Sequence, residues 1–64
     1  MTSTLAMIDV SKLQAGDHLV INNQPLLVRY MEKDSHGFDI YLSNNSGIES
    51  TTYVGDGEKV IITK

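Results

Sequence analysis

Residues 38–43, Phe38-Asp39-Ile40-Tyr41-Leu42-Ser43, alternate apolar and polar side chains without a break. Successive side chains of a β-strand point to opposite faces, so Phe38, Ile40 and Leu42 share one face and Asp39, Tyr41 and Ser43 the other. The first set is expected to face the core. No window of eleven or more residues places apolar side chains at i, i+3, i+4 and i+7 without a turn signal inside it, which disfavours long helices.

Turn signals bound this strand on both sides. Downstream, Asn44-Asn45-Ser46-Gly47 turns the chain into the Thr-rich run Ile48 to Val54, and Gly55-Asp56-Gly57 turns it again into Glu58 to Thr63. Upstream, Asp34-Ser35-His36-Gly37 reads as a hairpin loop after Leu26 to Lys33. That run alternates Leu26, Val28, Tyr30 against Leu27, Arg29, Met31, and is expected to be long, bent and partly buried on both faces. Pro25 opens it, one of the few places a sheet accepts a residue without a backbone donor. Asn22-Asn23 tolerates left-handed backbone angles and suits a tight turn after His18 to Ile21. Val10 to Ala15 is expected to form one short helical turn, capped by Ser11 and ended by Gly16.

Punctuation every 8–12 residues is the spacing of an all-β barrel or sandwich. The expected fold is all-β, a small SH3-like barrel of about five antiparallel strands. Its expected core is Leu19, Ile21, Val28, Phe38, Ile40, Leu42, Val60 and Ile62. Residues 1–7 are read as an N-terminal arm that frays and 8–64 as a single barrel domain.

The chain has 64 residues, five basic and eight acidic side chains, a net charge of −3 and no cysteine. A domain this short buries only about 60% of the surface its unfolded chain exposes, so its stability is marginal and association is a common remedy. Disulfides and cysteine-based zinc sites are excluded by composition. Met1 to Ala6 carries no base, Asp9 breaks the only candidate leader, and no apolar run approaches the roughly 20 residues of a membrane span. The expected compartment is the cytoplasm, with no membrane partner, and the initial Met with an intact last strand fits a complete small chain. Asn44-Asn45-Ser46 matches a glycosylation acceptor but reads as a polar turn.

Catalytic chemistry finds little footing. Asp34, Ser35 and His36 are neighbours in one loop with Asp39 close behind, adjacent residues of a loop rarely meet triad geometry, and a minibarrel has no deep pocket to exclude water. Asp34, His36 and Asp39, or His18 with Asp17, lack the spacing of a metal site. Gly55-Asp56-Gly57 lacks the Lys-Ser/Thr and the helix of a phosphate loop. No enzyme activity, metal or cofactor is expected.

Binding is the better prospect. Arg29, Tyr30, Lys33, Tyr41 and Tyr53 form the candidate interaction surface: exposed tyrosines suit protein interfaces, and Arg29 and Lys33 beside Tyr30 or Tyr41 would make a stacking surface for nucleic acid. The net negative charge disfavours nucleic acid as the partner. The expected role is therefore a non-enzymatic interaction module. It would present a sheet face or edge strand for self-association or to a protein partner in a larger assembly, with a translation- or RNA-associated barrel as the alternative.

Leu13-Gln14-Ala15-Gly16-Asp17-His18-Leu19-Val20-Ile21-Asn22-Asn23-Gln24-Pro25-Leu26-Leu27-Val28 resembles the opening of the SH3-like, KOW-type barrel at the start of bacterial elongation factor P and its eukaryotic counterpart. Gly16, Asp17, Ile21, Pro25 and Val28 carry the match, and Asn23-Gln24 stand where that family commonly has a Gly-containing turn. The resemblance covers about a quarter of the chain and implies the fold; function does not follow from it. That family carries a modified Lys at the next hairpin tip, flanked by Pro and Gly. Lys33 lies between Glu32 and Asp34 without those flanks, so the role does not pass to it.

Overall fold

The computed structural model describes residues 4–63. They form six strands: β1 (Leu5–Asp9), β2 (His18–Ile21), β3 (Gln24–Lys33), β4 (Gly37–Ser43), β5 (Glu49–Gly55) and β6 (Lys59–Thr63). All pair antiparallel in one sheet, in the order β1-β6-β2-β3-β4-β5. Strands β2 to β5 follow one another as hairpins, and β6 returns to lie between β1 and β2. The fold is all-β, as the alternation in residues 38–43 implies.

Three expectations need correction. The strands number six rather than about five, and the sheet does not close into a barrel: β1 and β5 end the strand order and are not paired with each other. The expectation that residues 5–7 fray is also replaced by a strand: β1 begins at Leu5 and pairs with β6 from Leu5↔Thr63 to Asp9↔Lys59. This pairing joins opposite ends of the chain, which no local pattern announces. Residues 1–3 of the expected arm lie outside the described residues. Finally, the short helical turn is a 3-10 turn, Val10–Lys12, capped by Asp9 rather than Ser11: the Asp9 carboxylate accepts from the Ser11 backbone N–H.

The core lies on one face of the sheet. Leu19, Val28, Phe38, Ile40, Leu42, Val60 and Ile62 are buried there as expected, joined by Val10 and Leu13 from the β1–β2 connection. Ile21 is only partly buried and packs against this cluster. The Asn22-Asn23 turn has both residues at positive φ, 52° and 65°, the paired left-handed conformation that continues the twist of a two-residue hairpin. Gly37 is needed for another reason. A Cβ there would meet the Val54 carbonyl oxygen and would lie 2.7 Å from the Gly55 Cα, so only glycine lets β4 start this close to β5.

A register shift between Val28 and Tyr30 shapes the surface that follows. Val28 pairs with Leu42 and Tyr30 with Tyr41, leaving Arg29 as the extra residue of a β-bulge. Such a residue bends the strand and changes the phase of its side chains. Before the bulge Val28 faces the core; after it Met31, opposite Ile40, does so.

Candidate functional site

The bulge sorts the five candidate residues. Along β3, Arg29 and Lys33 are four apart and simple alternation would give them one face. The extra residue breaks that phase. Lys33 pairs with Phe38 and follows Met31 to the core side. Its Nζ lies 4.9 Å from the Phe38 ring centroid and 3.1 Å from Asp56 Oδ1, at the end of the sheet remote from Arg29.

Arg29 remains with the tyrosines. Tyr30 and Tyr41 are cross-strand partners on the face opposite the core, with ring centroids 4.9 Å apart and planes tilted by 52°. Tilted aromatic pairs of this spacing are mutually attractive beyond their area. They border a surface groove of about 440 Å3 that also receives Arg29, Glu49 and Thr51 and opens along β5. Tyr53 stands one row further, opposite Asp39 on β4. Thus Arg29, Tyr30, Tyr41 and Tyr53 share one face, and Lys33 is separated from them.

Carboxylates interleave with these rings. Glu32 is the direct cross-strand partner of Asp39, which in turn faces Tyr53. The Tyr41 hydroxyl donates to Glu32 Oε1 at 3.0 Å, and this bond with the nearby charge holds the Tyr41 phenol above its ordinary pKa. The Tyr53 hydroxyl donates to Asp34 Oδ1 at 3.1 Å. Partial burial first, then that bond, raises the Tyr53 phenol.

Asp34 organises the loop that carries it. The same Oδ1 accepts the backbone N–H groups of His36 at 2.7 Å and Gly37 at 2.8 Å. These bonds favour the ionised form and hold the carboxyl below the usual carboxylate range. Asp34 and His36, weighed above as catalytic or metal residues, are thereby parts of a hairpin turn. Among the described residues no group of three or more His, Cys, Asp or Glu side chains gathers as metal ligands would, and no helix is long and apolar enough to cross a membrane.

A second surface was not legible in the sequence. Leu5 and Met7 on β1, exposed at 58% and 66%, lie on the outer face, and Met7 pairs with Ile61 of β6, exposed at 38%. They form an apolar stripe along one end of the sheet, beside the unpaired edge of β1. Its signal was the run Leu5-Ala6-Met7-Ile8 itself, in which the smallest residue, Ala6, shares the inner side with Ile8 while the larger Leu5 and Met7 point out.

Comparison with protein-family models, with curated proteins and with solved structures found no match.

Proposed function

We propose that this chain is a non-enzymatic interaction module that associates with itself or with a protein partner through an exposed sheet face and edge. The observation that carries this reading is the β1 end of the sheet, where Leu5, Met7 and Ile61 are exposed beside an edge strand. Natural edge strands are commonly protected by Lys, Pro or a bulge. The strand Leu5-Ala6-Met7-Ile8-Asp9 has neither Lys nor Pro, and its pairing with β6 runs without a register shift. A free edge offers backbone donors and acceptors for strand addition, while the apolar stripe supplies the burial that makes addition favourable.

Composition supports the same reading. A 64-residue chain without disulfides gains a thin core, and association is a general way to extend one. The absence of cysteine is in keeping with a reducing compartment, and we place the protein in the cytoplasm. The resemblance of residues 13–28 to the first barrel of elongation factor P supports a small β-module. The RNA-associated alternative is weakened by the separation of Lys33 from the tyrosines, which leaves Arg29 beside them in a groove that it shares with Glu49.

Sedimentation velocity over a wide concentration range tests the proposal. The expected result is a mass that rises with concentration in the native chain and stays at one chain in Met7→Lys, whose charge caps the stripe and edge. A single-chain mass throughout, together with no protein retained on immobilised chain, overturns it.

A further inference from the structure

Glu32 and Asp39 are direct cross-strand partners on the face opposite the core. Like charges in this position repel and destabilise a sheet, and among the described residues no ion pair relieves them: Lys33, adjacent to Glu32, is joined to Asp56 instead. Arg29 lies on the other side of the Tyr30–Tyr41 pair, at the end of the groove that holds Glu49. What surrounds the two carboxylates is aromatic. Tyr41 adjoins Glu32 through its hydroxyl, Tyr30 is tilted against Tyr41, and the half-exposed Tyr53 faces Asp39.

This combination matches a guanidinium. An Arg side chain stacks on aromatic faces and pairs with carboxylates through a planar fork of donors. Glu32 accepts the Tyr41 hydroxyl on Oε1 and is also bonded by the Tyr30 hydroxyl, so both rings are tied to the carboxylate that a guanidinium stacked on them would meet. The groove of about 440 Å3 leads from the tyrosine pair to the β5 edge, so an extended segment has access from solvent. We propose that the β3–β5 face is a docking surface for an arginine-bearing extended segment of a protein partner, its guanidinium seated over the tyrosines against Glu32 and Asp39, which lie beside the groove and not in its lining. The charge complementarity that selects this occupant also rejects acidic peptides. The proposal extends the interaction-module reading to a second surface and does not depend on association through β1.

The test is titration of the isotopically labelled chain, followed by amide chemical shifts, with the capped peptide Ser-Thr-Arg-Thr-Ser and its counterpart Ser-Thr-Glu-Thr-Ser. Running it in parallel in Met7→Lys separates this site from self-association, which is read at β1. The arginine peptide is expected to shift Tyr30, Glu32, Tyr41 and Tyr53 saturably in both proteins, less at high salt, with no response to the glutamate peptide. Glu32→Gln is expected to weaken binding about tenfold by removing a charge-assisted contact. Asp39→Asn is expected to weaken it similarly and, without peptide, to raise the melting temperature by relieving the repulsion. That rise shows that loss of binding is not loss of fold. Absence of saturable shifts, equal response to both peptides, shifts centred away from this face, or binding unchanged in both variants overturns the proposal. So does tighter binding of a uridine oligonucleotide on the same residues, which assigns the face to RNA.

Discussion

The Lys33 ammonium lies over the Phe38 ring, 4.9 Å from its centroid, so that a charged side chain closes the end of the apolar core. Its methylene stem can cover apolar surface while the charge reaches the solvent side, where it meets Asp56.

The two residues should differ sharply in their weight. Phe38→Ala removes a large buried ring, a change that costs about 3–5 kcal/mol. That equals the stability typical of so small an unstapled domain, so the variant should be largely unfolded at room temperature. Lys33→Met keeps the stem and discards an exposed ion pair of little net value. Its melting temperature should stay near that of the native chain. A cooperative, unshifted melt in Phe38→Ala would refute the core assignment.

Two glycines give a second contrast. At Gly37 an added Cβ meets the backbone of Val54 and Gly55, neither of which can swing aside, and such overpacking costs about 1–3 kcal/mol. At Gly47 the space is open but φ is +79°, so alanine meets only the left-handed strain of about 1–2 kcal/mol. Denaturant melts should rank Gly37→Ala as the more damaging, with a loss of pairing between β4 and β5 visible in amide exchange. The opposite order would contradict the close approach of these strands.

Acid should loosen the β3–β4 hairpin. Asp34 has its carboxyl lowered by the His36 and Gly37 N–H groups and the Tyr53 hydroxyl, and Asp9 is lowered by the Ser11 hydroxyl and N–H. For a carboxyl depressed on folding, the stabilisation is present above the unfolded value of about 3.9 and is lost as pH falls through the folded one. Melting temperature should therefore drop below about pH 4. Asp34→Asn, which keeps an acceptor and loses the titration, should flatten part of that drop. Identical acid profiles for the two proteins would remove Asp34 as a contributor.

Alkali acts in the opposite sense. The phenols of Tyr41 and Tyr53 are raised above their ordinary value near 10. Their contribution is intact below the unfolded phenol pKa and is lost as pH climbs through the folded one. Ultraviolet titration should give late ionisation of these rings, and Glu32→Gln should bring Tyr41 back toward the ordinary value. Unaltered phenolate absorbance in that variant would sever the link between Tyr41 and Glu32.

Local chemistry made much of this fold legible. The pattern of Phe38, Ile40 and Leu42 is decisive because the middle of β4 is paired on both sides and has one buried face. Asn22-Asn23 is equally direct, since few residues tolerate its backbone angles. What escaped depends on distant partners. Strand β1 exists through pairing with the far end of the chain, and Val10 and Leu13 are core residues on a connection without periodicity. The candidate surface was legible as residue types but not as an arrangement. A bulge at Arg29 has no glycine to mark it, yet it alone decides that Arg29 keeps company with the tyrosines and that Lys33 does not.

An open sheet with unlike ends has a direction. Strand β1 is short and apolar, whereas β5 is Thr-rich and borders the acidic face. Pairing two β1 edges about a two-fold axis consumes both and stops at a dimer; pairing β1 of one molecule with β5 of the next regenerates a free edge at each step and grows a ribbon. The net charge of −3 on every subunit opposes such growth, most strongly at low ionic strength. If the proposed association runs through β1, salt concentration is expected to control assembly length, with closure and polymerisation competing for the same strand.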